Sequence, residues 1–558
     1  MRSTGILEGA DFSINRSVFY SMGYSKDCLS RPIIGIANAW STLVPGHQNL
    51  KMLADYVKCG IYRAGGTAVE FGVIGVCDGT AQGHNGMHFA MPTRELIASD
   101  IESMAQAHQL DGLVLMGSCD KIVPGMLMAA ARLDIPCILL PGGPMTGGKV
   151  FDGRRSDLTS PSEAVGMLSV GKINADEMEN LERTCCSSCG SCSFYGTANT
   201  MCVVAEALGM SLPGAALIPT AYPERIRCAL ASGEAIVHLV ERNVTARKIF
   251  TEKAIDNAIR VCLATSGSTN AVMHLAAIAY EAELKMNVVE HFERLNETTP
   301  VIVKVNPASS YDMEDFYRAG GVPLVMKKLS PKLNTDVMTV TGDTLSKNLD
   351  KAVCLYDEGK DVIRDIANAF SDRGGLTILH GNLAERSAVS KPGAIDPSVR
   401  RFVGTARTFD CEEDAEHAIL AGEIEPGTVI VIRYEGPKGG PGMREMYKAM
   451  KFLNGMGLAK TTAVVTDGRF SGTNNGCFVG HISPEAAEGG NIALVEDGDI
   501  IDIDTVNGEL NLNVSDDTLA ERRMRWKPRE KKFKRGYLAI YSQLVSSADE
   551  GAIIKYEG

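Results

Sequence analysis

Residues 112–140 read GLVLMGSCDKIVPGMLMAAARLDIPCILL, two apolar runs with a helical stretch between them. The first run is Gly112–Met116, the helical stretch lies near Gly125–Leu133, and the second run is Ile135–Leu140. Continuous apolar strands that alternate with helices are typical of a parallel sheet covered by helices on both faces. The stretch therefore predicts an α/β fold.

The same alternation extends through the first two-thirds of the chain. Pro32–Ala37 and Ala68–Val76 are predicted as further buried strands, helical patterns dominate from Ala198 to about Glu293, and strand–helix signals resume at Pro300–Val305. About 150 residues per domain is typical of globular chains, so 558 residues suggest more than one domain. We predict residues 1–370 as an N-terminal domain with a parallel sheet flanked by helices.

The pattern changes near Arg373-Gly374-Gly375, after which the predicted strands are short and closely spaced. They are Leu376–His380, Thr428–Arg433, Thr462–Thr466, Ile492–Glu496, Ile500–Asp504 and Glu509–Val514. Turn signals such as Asn507-Gly508 separate them, which is typical of a β-barrel or an open sandwich. We predict residues 371–558 as a β-barrel-like domain that ends in a helical tail, about Tyr537–Ser546.

Composition limits the classes of partner. Hydrophobic residues make up 45% and charged residues 22% of the chain, as in soluble globular proteins. No apolar run approaches the roughly 18 residues of a membrane span, and the N-terminus lacks the apolar core of a signal peptide. We therefore expect a cytoplasmic protein without a membrane partner. The net charge of −12 argues against nucleic acid as the main partner.

One basic segment, Leu519–Arg535, departs from that acidic balance. It holds nine Lys and Arg against Glu521 and Glu530. A solvated or subunit-facing stretch is one interpretation. The other is an RNA-binding tail of an iron–sulfur sensor, although only Trp526, Phe533 and nearby Tyr537 provide the aromatic side chains on which bases stack.

Five of the fifteen cysteines fall within eighteen residues: Cys185, Cys186, Cys189, Cys192 and Cys202. The spacing of Cys186, Cys189 and Cys192 is C-x2-C-x2-C. A structural zinc site uses four ligands, usually as two separated pairs, and no second pair follows here. Iron–sulfur proteins do use C-x2-C-x2-C runs. The run therefore favours a cluster, against the alternative of thiols that pack as small hydrophobic groups.

Acidic residues follow two of the predicted strands. Gly112–Met116 leads into Cys119-Asp120-Lys121, and Ala68–Val76 leads into Cys77-Asp78-Gly79. Ligands bind at the carboxyl ends of strands in open α/β sheets. If the two strands are neighbours, Asp78 and Asp120 meet there and can hold Mg²⁺, which prefers oxygen ligands. The alternatives are an Asp-Gly turn and a helix-capping Asp beside a buried Cys.

Two further loops follow strands in the C-terminal part. Gly436–Glu445 is rich in glycine, which lets backbone approach a ligand closely, and Glu445 is a hard ligand or a base. An ordinary glycine-rich turn is the alternative. Ser471, in Thr466–Gly472, is by itself a turn residue. It becomes a base only if a nearby cation holds its oxygen as an alkoxide.

These segments together resemble the dihydroxy-acid dehydratase/phosphogluconate dehydratase family. The motifs that carry the resemblance are Asp78-Gly79, Gly83-His84, Gly86-Met87, Cys119-Asp120-Lys121, Pro124–Met126, Cys189–Cys192, Thr197–Met201, Gly267–Asn270, Arg433–Met443, Thr466–Gly472, Gly480-His481 and Pro484–Ala486. They extend over nearly the whole chain, and their combination is highly specific.

The resemblance implies a hydro-lyase that removes water from a 2,3-dihydroxy acid to give a 2-keto acid. It implies that Cys119 and Cys192 bind an iron–sulfur cluster and that Ser471, as an alkoxide, is the base. The Mg²⁺ ligands that it implies are Asp78, Asp120, a carbamylated Lys121 and Glu445. It also implies a homodimer or a dimer of dimers acting on a small-molecule dihydroxy or polyhydroxy acid.

Two positions depart from parts of the family. Some relatives have a Pro-Cys pair whose cysteine is the third ligand of a [2Fe–2S] cluster, but this chain has Pro45-Gly46. We therefore favour [4Fe–4S], with Cys189 or Cys77 as the third ligand.

The second departure concerns the substrate. Branched-chain members usually have an aromatic residue before Thr-Ala-Asn, whereas this chain has Phe194-Tyr195-Gly196, like sugar-acid dehydratases. The missing ring is expected to open room for a longer polyol. Arg433–Gly442 and Gly480-His481 instead resemble the branched-chain members. We favour dihydroxy-acid dehydratase of branched-chain amino-acid biosynthesis, with an aldonate or phosphogluconate-type dehydratase as the alternative.

Overall fold

The computed structural model describes residues 1–359, 361–470, 472 and 476–555. Within these residues the strands form sheets of four, eight and two strands. The strands are β1 (Ile33–Asn38), β2 (Thr67–Gly72), β3 (Gly112–Met116), β4 (Cys137–Leu140), β5 (Val150–Phe151), β6 (Arg154–Arg155), β7 (Thr377–Leu379), β8 (Ser387–Ser390), β9 (Arg401–Phe409), β10 (Thr428–Ile432), β11 (Ala463–Thr466), β12 (Cys477–Ser483), β13 (Ile500–Asp504) and β14 (Glu509–Leu512).

Helices occupy most of the N-terminal part and are fewer after β7. They are α1 (Thr4–Leu7), α2 (Ser13–Ser21), α3 (Lys26–Leu29), α4 (Leu50–Arg63), α5 (Asp78–Ala81), α6 (Met87–Ala90), α7 (Thr93–Ala107), α8 (Ile122–Leu133), α9 (Ser160–Ser169), α10 (Ala175–Thr184), α11 (Thr197–Ala207), α12 (Pro223–Glu241), α13 (Ala246–Ile249), α14 (Glu252–Ala264), α15 (Asn270–Glu281), α16 (Val288–Asn296), α17 (Met313–Arg318), α18 (Gly321–Leu329), α19 (Leu345–Lys351), α20 (Glu412–Leu420), α21 (Lys448–Met456), α22 (Asp516–Arg525) and α23 (Tyr537–Leu544). Among the described residues, no helix combines the length and the apolarity needed to cross a bilayer.

The N-terminal sheet is parallel throughout, in the order β2-β1-β3-β4, and helices pack against it as predicted. Helices α4 and α12 cross at two glycines. A β-carbon on Gly60 would lie 2.1 Å from the Leu230 carbonyl oxygen, and one on Gly233 would lie 2.2 Å from that of Val57. Only glycine lets the two backbones approach so closely.

The strands before Asp78 and Asp120 are not neighbours, because β1 lies between β2 and β3. The strand β2 also ends at Gly72 rather than at Val76. Beyond it, the Val73 amide donates to the Asn38 carbonyl at the end of β1. The chain therefore runs over the end of β1, and this path carries Asp78 toward β3.

The eight-stranded sheet has the order β14-β13-β9-β10-β11-β12-β8-β7. His380, directly after β7, bridges to Glu509 of β14, with the Leu510 amide 2.8 Å from the His380 carbonyl oxygen. This contact joins the two edges of the sheet. The predicted β-barrel-like C-terminal part is thereby confirmed, while the boundary at residues 370 and 371 stays a prediction.

One of the six strand predictions for the C-terminal part fails, and three strands are missing from the predicted set. The run Ile492–Glu496 is not a strand, because Asn491–Leu494 forms a 3-10 helix whose Ile492 and Leu494 pack in the barrel core. A short apolar run alone does not distinguish these structures. Strands β8, β9 and β12 are missing from the predicted set. Much of β9 is solvent-exposed, so its sequence lacks a continuous apolar run.

The predicted strand at Pro300–Val305 does not form a regular strand. Val301 and Val303 make only isolated bridges, to Ser371 and Ile363. The predicted helical tail is present as α23, which ends at Leu544.

Candidate active site

Three carboxylates from distant parts of the chain meet at one point. Asp78 begins α5, Asp120 follows β3, and Glu445 comes from the segment between β10 and α21. One oxygen of each lies within 4.8 Å of the others. The Asp78 Oδ1 atom is buried and has no hydrogen-bond partner among the described residues. Buried oxygens so arranged fit a hard cation such as Mg²⁺.

Two fully buried cations, Lys121 and Arg469, compensate this negative charge. Lys121 Nζ lies 3.0 Å from Asp78 Oδ2 and 3.5 Å from Asp120 Oδ2. Arg469 lies 3.1 Å from Asp78 Oδ2 and also pairs with Glu445. Arg469 is not among the predicted site residues, although it lies in the Thr466–Gly472 motif. The sequence does contain a sign of its role, because Arg469 is a cation among apolar and small residues. A charge buried in such a segment needs oppositely charged partners.

The two aspartates differ in proton affinity. Burial, together with repulsion from Asp78 and Glu445, raises the pKa of Asp120 to about 6. Burial also acts on Asp78, but Lys121 and Arg469 outweigh it and lower the pKa of that carboxyl. Repulsion among closely placed carboxylates is relieved by a cation.

The glycine-rich loop contacts protein rather than an open site. Asp467 accepts the backbone N–H groups of Tyr434 and Glu435, and Glu485 accepts those of Lys438 and Gly439. A β-carbon on Gly442 would lie 2.1 Å from the His88 carbonyl oxygen, so the close approach is to the N-terminal part. The loop therefore fixes the segment that presents Glu445, whose neighbour Met446 donates its N–H to the Arg469 carbonyl.

Half-buried thiols lie beside the carboxylates. Burial raises the pKa values of Cys119 and Cys192 well above the ordinary thiol range, and Cys77 raises both further. Burial also raises the pKa of Cys77, with a contribution from Asp120. Such thiols stay protonated unless a metal displaces the proton, so they suit metal ligation. No three of these sulfurs lie within 4.8 Å of one another among the described residues, so they do not enclose a single small ion.

Gly46 lies directly against one of these thiols. A β-carbon there would be 2.8 Å from Cys119 Sγ and 3.3 Å from the Ser191 backbone nitrogen. The cysteine that some relatives are expected to have at this position would therefore place its sulfur beside Cys119. In this chain that sulfur is missing.

The segment before Thr197 differs from the expected open space. A β-carbon on Gly196 would lie 2.6 Å from the ring of Phe194, which is itself buried. Tyr195 is buried as well, and its hydroxyl lies 2.8 Å from that of Thr265. The Phe194 ring thus takes the space beside Gly196, and the expectation of added room there is wrong.

Ser471 lies outside the described residues. On one side of it, the Phe470 carbonyl accepts a hydrogen bond from the Thr269 hydroxyl. On the other side, a β-carbon on Gly472 would lie 2.5 Å from the side chain of Lys391. Its assignment as the base stays a prediction.

The chain matches a known protein family over most of its length. Residues 31–348 match the N-terminal part of dihydroxy-acid/6-phosphogluconate dehydratases, and residues 361–552 match the C-terminal part. The chain belongs to this family. Among its relatives, named dihydroxy-acid dehydratase, that of Caldanaerobacter subterraneus subsp. tengcongensis is 49% identical, that of Pyrococcus abyssi 48% and that of Pyrococcus furiosus 49%, each with 100% of both chains covered. The resemblance found in the sequence is confirmed.

Some arginines of the basic segment Leu519–Arg535 make ion pairs and hydrogen bonds with other parts of the chain. Arg522 lies 2.6 Å from Asp499, and Arg529 pairs with Asp410 while stacking on Tyr434. Arg523 donates to the Gly489 carbonyl. These three arginines therefore have partners within the chain, and the choice between a solvated or subunit-facing stretch and an RNA-binding tail stays a prediction.

Proposed function

We propose that the chain is a hydro-lyase that converts a 2,3-dihydroxy carboxylic acid into a 2-keto acid, with Mg²⁺ and an iron–sulfur cluster. The observation that carries the proposal is the meeting of Asp78, Asp120 and Glu445 next to half-buried thiols. Hard oxygen ligands and soft sulfur ligands side by side suit two different metal centres. Membership of the dehydratase family supports this use of them.

Each residue has a task in this proposal. Asp78, Asp120 and Glu445 hold Mg²⁺, and Cys119 and Cys192 hold the cluster. When bound, Mg²⁺ and the cluster iron stabilise the negative charge that develops as the C2 proton and the C3 hydroxide leave. Ser471 takes the C2 proton. Arg469 pairs with Asp78 and Glu445 and orients both carboxylates toward the site.

Carbamylation of Lys121 fits the charges at this site. Unmodified Lys121 contributes one positive charge toward three carboxylates. A carbamate contributes one negative charge, and Mg²⁺ contributes two positive ones, so the exchange leaves the net charge of the site unchanged. The same side chain then supplies an oxygen ligand instead of an ammonium group.

We propose Cys77 as the third ligand of a [4Fe–4S] cluster, in preference to Cys189. Position 46 offers no sulfur beside Cys119, whereas Cys77 acts electrostatically on both Cys119 and Cys192. Cys77 also precedes Asp78 as Cys119 precedes Asp120. The two Cys-Asp pairs then contribute one sulfur and one carboxylate each.

Cys77→Ala is expected to lower the iron and sulfide content of anaerobically purified protein well below that of the unchanged chain, because a cluster ligand is lost. Cys189→Ala, the matched control, is expected to keep both. Iron and sulfide counts with visible absorption spectra measure this. Full cluster content in Cys77→Ala together with loss in Cys189→Ala would reverse the assignment.

The packing of Phe194 favours a short branched substrate. Since that ring fills the space beside Gly196, the segment offers no extra room for a longer polyol. The full-length relatives named dihydroxy-acid dehydratase support the same choice. We therefore propose 2,3-dihydroxyisovalerate as a substrate.

The test of the proposed function is a side-by-side assay on 2,3-dihydroxyisovalerate, gluconate, xylonate and arabinonate. We expect kcat/KM for dihydroxyisovalerate to exceed that for each sugar acid by about tenfold or more, as pocket shape alone discriminates to this degree. Preference for a sugar acid would favour the alternative dehydratase. No 2-keto acid from any of the four would contradict the hydro-lyase.

We further propose that the active assembly is a homodimer. Trp40 and Leu43 follow β1, and Ile74 follows β2, so all three lie on loops at the carboxyl edge of the sheet; they are 42%, 77% and 49% exposed. Phe89 of α6 is 47% exposed. Large exposed apolar side chains mark interaction surfaces when they are grouped, and a second copy of the chain is the partner that the family implies.

A further inference from the structure

The amide of Asn270 joins the two halves of the site. Asn270 begins α15 and is fully buried. Its Nδ2 atom lies 2.9 Å from Glu445 Oε2 and 2.8 Å from Thr197 Oγ1, while its Oδ1 atom lies 3.1 Å from His481 Nε2. Glu445 and His481 come from the C-terminal half, and Asn270 and Thr197 from the N-terminal half. One side chain therefore contacts three others, two of them across the boundary.

The hydrogen-bond partners fix the orientation of each group. An ionised Glu445 carboxylate only accepts, so the amide nitrogen of Asn270 must face it. Both amide hydrogens are then directed, one to Glu445 and one to Thr197. The amide oxygen is left as an acceptor, so His481 must carry its hydrogen on Nε2. Burial lowers the pKa of His481 to about 3, so the ring is neutral and one tautomer satisfies the contacts.

His481 is held in an unusual backbone conformation. Its φ is 58°, in the left-handed region that non-glycine residues rarely adopt. The His481 amide donates to the Gly468 carbonyl at 2.8 Å, one residue before Arg469. Strained residues of this kind persist where the surrounding structure holds them and cluster at functional sites.

Thr197 connects the Asn270 amide to the segment that carries Cys192. It begins α11, shortly after Cys192, and its hydroxyl also lies 2.8 Å from that of Ser268. The amide of Asn270 therefore links Glu445, proposed for Mg²⁺, to the segment that follows Cys192, proposed for the cluster. A change in its orientation would move both.

We infer that His481 and Asn270 are positioning residues: His481 orients the Asn270 amide, and that amide holds the Glu445 carboxylate ready for Mg²⁺. The inference rests on the proposed magnesium site. Neither residue touches the reacting atoms in this scheme. Hydrogen-bond partners behind a metal ligand typically change metal affinity by about 10- to 100-fold when removed.

The test compares His481→Leu with His481→Gln in holoenzyme purified anaerobically. Glutamine keeps an N–H donor near the Nε2 position, whereas leucine has none. Both carry the same backbone cost at φ 58°. We expect the Mg²⁺ dissociation constant, measured by titration calorimetry, to rise about tenfold or more in His481→Leu and to stay within about threefold in His481→Gln.

A second variant that loses the contact with Asn270 guards against failure to fold. Asparagine tolerates positive φ better than most residues, but its N–H group is too short to reach Asn270, so His481→Asn is expected to match His481→Leu. Unchanged Mg²⁺ affinity in folded His481→Leu and His481→Asn, or equal losses in all three variants, would overturn the inference. If the unchanged chain binds no Mg²⁺, the proposed function fails instead, so the two failures are distinguishable.

Discussion

Ser471→Ala is expected to lower kcat for 2,3-dihydroxyisovalerate by about 100-fold or more, the contribution typical of a positioned general base. The reason is chemical: alanine has no oxygen to take the C2 proton, while the metal ligands are untouched. Arg469, two residues earlier, pairs with Asp78 and Glu445. The measurement is single-substrate kinetics on protein whose iron content and Mg²⁺ affinity match those of the unchanged chain.

Ser471→Thr is the matched control, since threonine also carries a hydroxyl on its β-carbon. We expect it to retain far more activity than Ser471→Ala. Full activity in Ser471→Ala would remove Ser471 from the role of base. Loss of iron in that variant would instead show a structural role and leave the identity of the base open to assignment.

Glu445→Gln is expected to weaken Mg²⁺ binding by about 100-fold or more and to lower activity with it, a larger effect than removal of a supporting hydrogen bond. The substitution keeps the shape of the side chain but removes the charge that pairs with buried Arg469 and is proposed to bind Mg²⁺. Among the residues that the structure describes, Asp78 is then the one remaining carboxylate in an ion pair with Arg469, at 3.1 Å. Calorimetric titration of Mg²⁺ and steady-state kinetics measure the two effects.

Glu413→Gln is the control for loss of a carboxylate in the same half of the chain. Glu413 pairs with Arg444, next to Glu445, but its oxygens are not part of the three-carboxylate group. We expect it to leave Mg²⁺ affinity near that of the unchanged chain. Equal Mg²⁺ affinity in Glu445→Gln and the unchanged chain would exclude Glu445 as a ligand.

Buried strands of the N-terminal sheet were the most predictable part of the fold. Gly112–Met116 is predicted and is β3, and every residue of β3 is buried. Such runs are continuous in sequence because both faces of the sheet are covered. Strand β9 was not predicted, because it is partly exposed and Gly404 interrupts its apolar residues. Neighbouring strand order also could not be predicted, since β1 separates β2 from β3.

Residues of the site were predictable as chemical types and through the family motifs. Asp78, Asp120, Lys121 and Glu445 are predicted by number, and the structure brings them together. The supporting groups were not predicted. Asn270 and His481 lie in recognised motifs, but their contact depends on the docking of α15 against the barrel, which no local pattern encodes.

The local pattern of residues predicts strands and helices where burial is continuous, and it predicts which side chains have metal-binding groups. Which of those side chains meet depends on the fold of the whole chain. Asp78 reaches Asp120 because the chain after β2 passes over the end of β1. Glu445 reaches both because the C-terminal part docks on the N-terminal part through contacts such as that of Gly442 with His88 of α6. Local periodicity reports burial, whereas these meetings depend on chain path and on packing between distant segments.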